Sequence, residues 1–449
     1  MSEFDLIVIG TGVSGRTAAE EAAAAGLATA LADCRPFGGT CALRGCEPKK
    51  VLFAAAETVM RARGQQGHGV TGDARLDWPE LMAFKRRFTD SLPDAFESEF
   101  AKLGVTRLHG IARFVAANTL DVNGELHTAR AFLVAPGAAP APLGFPGAEL
   151  GIDSERFMEL PQLPARIVFA GGGFVSFELA GIADAAGAHC TILHRSAQPL
   201  RAFDPDFVAL LMTQYAEEGI TVRTNAPVVG VEPARVGDRD SSFSVVLGDG
   251  SRIAADLVVH GAGRLPDLAA LDLDAAGVAF GVRGIEVDAQ MHSTSNPLVW
   301  AAGDAAARGS ALTPVGVSQA RVAVRNIVAP GSATWEPDVV PSAVFSQPPL
   351  AGVGLSEPAA LAAGTDVDVK FTDTSEWLSS QRVGLTHTGA KVLTDRGSGR
   401  ILGAHILGHH AEEMVNLFAL AVAQRMTATE LKAVLWAYPT ATSEIVYLL

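Results

Sequence analysis

Residues 4–15 read FDLIVIGTGVSG, an apolar run that opens directly into Gly10, Gly12 and Gly15 in the spacing G-x-G-x-x-G. A helix-like stretch follows, and a second apolar run ends at Asp33, 23 residues after Gly10. Such glycines let backbone N–H groups and the helix dipole hold a pyrophosphate, while a carboxylate at the end of the second strand binds ribose. The stretch therefore predicts a dinucleotide-binding βαβ unit. The alternative is a tight strand-to-helix turn without a ligand.

The same plan recurs in the middle of the chain. Gly171, Gly173 and Ser176 occupy the three glycine positions, and serine is small enough to preserve helix–strand packing. The following strand ends without a carboxylate, and arginines follow at Arg195 and Arg201. An arginine at this point favours a 2′-phosphate, so the unit is predicted to bind NADPH in preference to NADH. The alternative is that both arginines are solvated surface charge.

The chain beyond about residue 335 shows no third glycine fingerprint. It alternates strand-like runs at 344–345, 391–393 and 401–406 with one helical pattern over 411–424. This pattern predicts a separate α+β domain. The fold class is therefore α/β, with two Rossmann-like dinucleotide-binding domains and a C-terminal α+β domain.

Composition excludes several classes of protein. The 449 residues are 48% hydrophobic and carry 49 Asp and Glu against 35 Lys and Arg, a net charge of −14. So acidic a surface repels phosphate backbones, which argues against a nucleic-acid partner. No run approaches 18 apolar residues, and the first ten residues lack the features of a signal peptide. No membrane association is expected, and a cytoplasmic location is predicted.

The cysteines are few and unevenly placed. Four cysteines exclude a disulfide scaffold in a chain of this length, but Cys41 and Cys46 lie little more than one helical turn apart. At a helix start, the dipole and nearby lysines would lower the thiol pKa and favour thiolate chemistry. Zinc would need two more ligands, and none is evident, so no metal site is expected. Cys34 and Cys190 occupy predicted strand positions, where small buried residues are expected.

The run GGTCALRGCEPKK at 38–50 resembles the Gly-Gly-Thr-Cys-x4-Cys-x-Pro-Lys redox motif of the class I pyridine nucleotide–disulfide oxidoreductases. Glutathione reductase, dihydrolipoamide dehydrogenase and mercuric reductase belong to that family. The resemblance covers essentially the whole chain. Similar motifs follow in LVAPGAAP at 133–140, GAGRLP at 261–266, WAAGD at 300–304 and LTP at 312–314, and the dimerisation domain begins within 341–357.

The resemblance implies four segments, two cofactors and a homodimer. An FAD-binding domain would comprise residues 1–142 and 267–332, split by an NAD(P)H-binding domain at 143–266. Residues 333–449 would form the interface or dimerisation domain. The implied cofactors are FAD and NADPH.

The resemblance also implies roles for individual residues. Cys46 would be the flavin-proximal, charge-transfer thiol, and Cys41 the interchange thiol that meets the acceptor. Lys49 and Glu178 match an ion pair beside the flavin and the nicotinamide, and Phe174 matches the aromatic gate of the nicotinamide pocket. The implied FAD-binding residues are Gly10, Gly12, Gly15, Asp33, Gly39, Thr40, Gly137, Asp304 and Thr313, and the implied NADPH-binding residues are Gly171, Gly173, Phe174, Arg195, Arg201, Gly263 and Arg264.

The C-terminal acid–base motif of the family is altered in this chain. Family disulfide reductases usually have His-Pro-Thr with a Glu five residues after the His, supplied to the cysteine pair by the partner subunit. Here Tyr438 stands at the His position and Ser443 at the Glu position, with Glu444 one residue late. Tyrosine titrates near about 10, so Tyr438 can donate a hydrogen bond at the catalytic site but is a poor base. His409 and His410 are candidates to replace the missing histidine by residue type only.

The absence of the family's His and Glu changes which electron acceptors are expected to react. General acid–base help is worth about 10²–10⁴-fold, so alkyl disulfides, whose leaving thiolates need a proton, should react slowly. The predicted function is electron transfer from NADPH through FAD and the cysteine pair to a specialised disulfide or thiol adduct. The open alternatives are a metal ion, a quinone or a carbon electrophile as acceptor, or a redox sensor with little turnover. Glutathione disulfide is disfavoured because Glu20 replaces a glutathione-binding arginine, although Arg321 matches another such position.

Overall fold

The computed structural model describes residues 3–234, 241–337 and 339–449. They fall into two units, and each unit is assembled from three stretches of chain. The first contains Met1–Lys50, Ala83–Pro142 and Gly263–Glu336, and the second contains Val51–Met82, Leu143–Ala262 and Pro337–Leu449. The functional division at residues 142, 266 and 332 stays a prediction, because compactness does not report which cofactor a stretch of chain binds.

Strands are distributed along the whole described chain. In order they are β1 (Phe4–Ile9), β2 (Thr29–Asp33), β3 (Thr106–His109), β4 (Ala112–Ala116), β5 (Thr119–Val122), β6 (Glu125–Val134), β7 (Ala138–Pro140), β8 (Arg166–Ala170), β9 (His189–Leu193), β10 (Thr221–Arg223), β11 (Val228–Pro233), β12 (Phe243–Leu247), β13 (Arg252–Ala255), β14 (Leu257–His260), β15 (Arg264–Pro266), β16 (Phe280–Gly281), β17 (Gly284–Ile285), β18 (Val299–Ala301), β19 (Ser342–Val344), β20 (Leu350–Gly354), β21 (Val367–Asp373), β22 (Gly389–Asp395) and β23 (Ile401–Leu407).

Helices alternate with these strands in the dinucleotide-binding regions. In order they are α1 (Val13–Ala24), α2 (Gly39–Arg44), α3 (Cys46–Gly64), α4 (Trp78–Thr89), α5 (Leu92–Lys102), α6 (Ser154–Phe157), α7 (Phe174–Ala185), α8 (Pro205–Glu218), α9 (Thr313–Val328), α10 (Glu357–Ala363), α11 (Leu378–Gln381), α12 (Ala411–Ala423), α13 (Ala428–Lys432) and α14 (Ile445–Leu448). None of the described helices is long and apolar enough to cross a membrane.

The first unit is built on a sheet of order β3-β2-β1-β6-β5-β4, with β18 also paired to β6. β1 runs parallel to β2 and β6, and Leu6, Ile7 and Val8 are fully buried. α1 packs closely on this sheet because Gly15 has no side chain; a Cβ there would lie 1.8 Å from the carbonyl oxygen of Gly10. The order β1–α1–β2 confirms the predicted βαβ unit.

The second unit contains the other βαβ unit. Its parallel sheet has the order β10-β9-β8-β14, and α7 connects β8 to β9. Ser176 in α7 is fully buried, so the small-residue requirement at the third fingerprint position is met. Its hydroxyl occupies the space beside Gly261, where a Cβ would lie 1.9 Å from Ser176 Oγ. Helix and strand therefore pack as the two-glycine, one-serine pattern predicts.

The C-terminal part of the second unit is a five-stranded antiparallel sheet of order β19-β20-β23-β22-β21. α12 covers it, and its Met414, Val415 and Phe418 pack in a common core with Ala404 and Ile406 of β23. The α+β architecture predicted for this part of the chain is therefore confirmed, and its division from the rest of the second unit stays a prediction. Its helix begins at the expected residue and ends one residue early.

The two cysteines outside the redox motif differ in burial. Cys190 is buried in β9, as expected. The expectation for Cys34 is wrong, because this cysteine is exposed. β2 ends at Asp33, so Cys34 begins the following loop and the burial pattern of the strand no longer applies to it.

Candidate active site

The two cysteines of the redox motif lie at neighbouring helices. Cys41 belongs to α2, and Cys46 is the first residue of α3. Both are free thiols, and the Cys41 thiol donates a hydrogen bond to the Cys46 sulfur. The structure therefore brings together the two sulfurs that the spacing predicts to meet.

A third side chain, from a distant part of the sequence, contacts both sulfurs. Thr313 is the first residue of α9, and its Oγ1 lies 3.4 Å from Cys41 Sγ and 3.9 Å from Cys46 Sγ. The family resemblance implies that Thr313 binds FAD, and it does not predict this contact with the thiols. Only the family motif marks Thr313, because nothing in the local sequence links residue 313 to residues 41 and 46.

The pKa values of the two thiols are shifted in opposite directions. The hydrogen bond from Cys41, with Lys49, Thr313 and Lys50, lowers the pKa of Cys46 to about 6 although burial opposes the shift. Donation of the same hydrogen bond, with burial, raises the pKa of Cys41 well above its ordinary value. Near neutral pH, Cys46 is therefore the thiolate and Cys41 the thiol. This assignment agrees with the roles that the family resemblance implies.

Thr313→Val should raise the pKa of Cys46 by about one unit, because a hydrogen bond to a charged group is worth about 1.5–3 kcal/mol before solvent screening. The measurement is the pH dependence of iodoacetamide alkylation of the reduced holoenzyme, with Cys46 modification followed by mass spectrometry. In the wild type, alkylation should fall as pH drops through about 6, where the thiolate takes up a proton. Thr313→Ser, which keeps the hydroxyl, is the matched control. An unchanged midpoint in Thr313→Val would contradict the proposed contribution.

The first glycine turn is fixed by a carboxylate from the second strand. Asp33 Oδ2 accepts hydrogen bonds from the Thr11 N–H at 2.8 Å and the Thr11 hydroxyl at 2.6 Å, and Oδ1 accepts from the Arg35 N–H at 2.9 Å. A carboxylate has about four acceptor sites, so Asp33 retains capacity for ribose hydroxyls. Gly39 contacts the same turn, since a Cβ there would lie 2.3 Å from Gly12 Cα.

A second carboxylate of this unit is half-buried. Burial raises the pKa of Asp304, and the Arg264 guanidinium opposes that shift. Arg264 also donates a hydrogen bond to the Ala138 carbonyl in the β7–β15 pair. Gly137 precedes this pair with a positive φ of 78°. Asp304 is therefore a half-buried acceptor of the kind that the hydroxyls of a ribityl chain require.

These residues fit FAD. The first turn of α1 presents N–H groups without intrahelical acceptors, the arrangement that binds a pyrophosphate. Asp33 would hold the adenosine ribose and Asp304 the ribityl chain, while Gly39 and Thr40, the first residues of α2, lead directly to Cys41. The individual FAD contacts stay predictions.

The second glycine turn lies in the other unit. Gly171 has a φ of 118°, and a Cβ there would lie 2.3 Å from the Gly261 carbonyl oxygen. Gly173 is the N-cap of α7, and Phe174, its first residue, is half exposed. Arg195 and Arg201 are exposed. Gly263, which also has a positive φ, accepts a hydrogen bond from the Ala141 N–H within the first unit.

The two residues predicted to form an ion pair are both buried. Lys49 is 7% exposed in the first unit and Glu178 is 2% exposed in the second. Glu178 Oε1 accepts a hydrogen bond from the Phe345 N–H at 2.9 Å, a contact that no sequence motif predicts. The Lys49–Glu178 ion pair stays a prediction.

The altered C-terminal motif has a local structural role of its own. Tyr438 is 82% exposed. Ser443 forms a capping box with Thr440: its N–H donates to Thr440 Oγ1, and its own Oγ accepts from the Thr440 N–H. Glu444 lies one residue after the position of the family's Glu, and it accepts a hydrogen bond from Ser379.

His409 is poorly suited to replace the missing histidine as an acid–base group. Burial, with His410 and Arg61 nearby, lowers the pKa of His409 to about 4. His409 Nδ1 lies 3.3 Å from Arg61 Nη2 in the C-terminal half of α3. Among residues 3–234, 241–337 and 339–449, no group of three or more His, Cys, Asp or Glu side chains is arranged to hold a metal ion.

Two family models match nearly the whole chain. Residues 4–325 match the model described as pyridine nucleotide-disulphide oxidoreductase, and residues 340–449 match its dimerisation domain. The chain is 34% identical to a glutathione reductase of Burkholderia cepacia, over 99% of this chain and 98% of that protein. It is 35% identical to a dihydrolipoyl dehydrogenase of Thermus scotoductus, over 98% and 95% of the two chains.

Solved structures show the same fold. The HOCl-induced flavoprotein disulfide reductase RclA from Escherichia coli superimposes with a TM-score of 0.88 at 24% identity, covering 99% of each chain. The Cu(II) complex of that protein matches with the same TM-score, identity and coverage. These likenesses support the α/β architecture of the described residues.

Proposed function

This chain belongs to the pyridine nucleotide–disulphide oxidoreductase family, and we propose that it carries electrons from NADPH through FAD and the Cys41–Cys46 pair to a specialised disulfide or thiol-adduct acceptor. The family membership establishes an FAD- and NAD(P)H-dependent oxidoreductase. The acceptor class and the NADPH preference are the proposal. The observation that carries the acceptor class is the pair of free thiols, Cys41 and Cys46, that share a contact with Thr313 in a chain with Tyr438 at the His position.

When bound, FAD would supply the redox chemistry between the nicotinamide and the cysteine pair, and the first glycine turn, Asp33 and Asp304 would hold it. In the reduced pair, Cys41 must lose its proton before it attacks an acceptor. The Cys46 thiolate, which already accepts the Cys41 hydrogen bond, is positioned to take that proton. Thr313 and Lys49 stabilise the charge on Cys46 and so keep it a weak base. The active Cys41 thiolate is therefore scarce.

Attack by Cys41 breaks the acceptor disulfide, forms a mixed disulfide with one half and releases the other half as a thiolate. Cys46 then attacks Cys41, releases the second half and restores the Cys41–Cys46 disulfide. The acceptor gains two electrons, but the pair holds only one proton for two leaving groups. In the family the His supplies the second proton, and Tyr438 is a poor substitute. Acceptors whose thiols are acidic leave without that proton and are favoured.

Charges on α1 support an acceptor other than glutathione disulfide. Arg321 Nε lies 3.2 Å from Glu21 Oε1, and Arg16 Nε lies 3.5 Å from Glu20 Oε1. Each arginine is thus balanced by a carboxylate. The resemblance implies glutathione-binding arginines at positions 20 and 321, and only Arg321 is present. A dianionic acceptor such as glutathione disulfide would gain little there.

The dimerisation-domain match supports a homodimer as part of the proposal. Tyr438, exposed on its own subunit, would then face the partner's cysteine pair as the His does in the family. A cytoplasmic location is part of the same proposal.

The acceptor class is tested by the stoichiometry of turnover. With an aromatic disulfide such as 5,5′-dithiobis(2-nitrobenzoate), each NADPH consumed should yield two thiols, and glutathione disulfide should be reduced at least ~10²-fold more slowly. Cu(II) and a quinone serve as the competing acceptor classes. Turnover of either at a higher kcat/KM than every disulfide tested would overturn the disulfide assignment while leaving the electron path intact.

A further inference from the structure

The charged side chains that act on the two thiols differ in sign. The hydrogen bond from Cys41 is the main cause that lowers the pKa of Cys46, and the positive charges of Lys49 and Lys50 add to it. Glu47 lies in the first turn of α3, directly after Cys46, and is exposed. The hydrogen bond to Cys46 and burial are the main causes that raise the pKa of Cys41, and the charge of Glu47 adds to them. Positive charge therefore lies beside the thiolate, and negative charge beside the thiol that attacks the acceptor.

A second group of charges in the same unit is also acidic overall. Arg321 lies in α9, eight residues after Thr313, which is about 12 Å along the helix axis from the residue that contacts both sulfurs. The charged side chains that interact around it are Glu20, Glu21, Glu99, Arg16 and Arg321. Three carboxylates and two guanidiniums leave one negative charge in excess. An anionic acceptor would therefore find little attraction either here or at Glu47.

The proton balance of turnover sets a second requirement on the acceptor. The reduced pair, with one thiol and one thiolate, reacts with a disulfide to give the Cys41–Cys46 disulfide, one free thiol and one free thiolate. That thiolate is released near the negative charge of Glu47. An ammonium group within a few bonds of the sulfur lowers the pKa of the released thiol, so that it can leave without a proton. The missing proton and the charge of Glu47 therefore favour the same kind of acceptor.

We infer that the acceptor is a disulfide that carries an ammonium or guanidinium group close to its sulfur atoms, and that Glu47 is the specificity-determining residue that binds this cation beside Cys41. The inference rests on the disulfide acceptor of the proposed function and adds the charge of that acceptor. NADPH supplies the two electrons through FAD and the cysteine pair. Each turnover releases two cationic thiols, one with the proton of Cys41 and one as a thiolate that takes its proton from water.

The test compares two alkyl disulfides of similar length in NADPH-dependent turnover of the FAD-loaded enzyme: cystamine, with two ammonium groups, and 3,3′-dithiodipropionate, with two carboxylates. The wild type should have the higher kcat/KM for cystamine. Glu47→Gln should lower the ratio of cystamine to dithiodipropionate about tenfold, because one attraction and one repulsion near the protein surface are lost together. Added salt should lower this ratio in the wild type and change it less in Glu47→Gln. Glu80→Gln, at an exposed position in the first turn of α4, is the matched control.

The outcomes separate the inference from the proposed function. A wild type that reduces dithiodipropionate at least as fast as cystamine would overturn the cationic acceptor, while two thiols per NADPH from either would preserve the disulfide assignment. A cystamine preference that is unchanged in Glu47→Gln would reflect thiol acidity alone and would overturn the role of Glu47. No reduction of any disulfide tested, 5,5′-dithiobis(2-nitrobenzoate) included, would overturn the inference and the proposed function together.

Discussion

Cys46→Ser should abolish transfer of electrons from NADPH to the acceptor, lowering kcat/KM by about 10³-fold or more, as loss of a covalent catalytic group does. Serine cannot form the Cys41–Cys46 disulfide or carry the thiolate. NADPH should still bleach the flavin absorbance, because the nucleotide site lies in residues that the substitution leaves intact. Anaerobic titration of the wild type with NADPH should produce a long-wavelength thiolate–flavin band, and Cys46→Ser should lack it.

The chain offers a matched control for this substitution. Cys34 has an exposed side chain and no part in the redox motif. Cys34→Ser should therefore retain both turnover and the long-wavelength band. Persistence of the band in Cys46→Ser would remove Cys46 from its proposed position. Retention of more than about one tenth of the turnover would show that electrons bypass the cysteine pair.

Tyr438→His combined with Ser443→Glu should raise the reduction of alkyl disulfides by about 10²-fold, the lower end of the benefit of general acid–base catalysis. Histidine supplies the second proton that the reduced pair lacks, and glutamate orients the imidazole. The double substitution removes the hydrogen bond that the Ser443 side chain accepts in the capping box. This exposed contact stabilises the fold by about 1 kcal/mol. Steady-state kcat/KM with hydroxyethyl disulfide at pH 7 measures the gain.

Tyr438→Phe is the control for the double variant, since it keeps the ring and supplies no acid or base. It should show no gain with hydroxyethyl disulfide. If the double variant folds and binds FAD but also shows no gain, the acceptor pocket rather than the supply of the second proton would limit the reaction. That result would refute the explanation of acceptor choice by the altered C-terminal motif.

Local patterns predicted the parts of the fold that short-range chemistry determines. The glycines at positions 10, 12 and 15 required a strand-to-helix turn, and Asp33 marked the end of the next strand. The spacing of Cys41 and Cys46 alone predicted that their sulfurs meet. The exposure of Cys34 was missed because a shift of one residue moves a side chain from the strand into the loop.

The remaining features depend on contacts across long sequence separations. The partner of the two thiols, Thr313, lies 267 residues beyond Cys46, and Glu178 accepts from Phe345, 167 residues away. Which thiol carries the proton follows from those contacts and from nearby lysines, so residue type alone could not assign it. The hydrogen bond from the Gly172 N–H to His194 forms only in the folded turn, so the lack of a carboxylate at that strand end does not predict it.

The dependence of rate on the acidity of the leaving thiol tests the central claim most directly. That claim is that Cys41 and Cys46 deliver two electrons but only one proton. The measurement is kcat/KM for a series of disulfides of similar size, plotted against the pKa of the thiol released. A steep decline with rising thiol pKa in the wild type, flattened in Tyr438→His/Ser443→Glu, is the predicted result. A wild-type plot that is already flat, with rapid reduction of glutathione disulfide, would contradict the account.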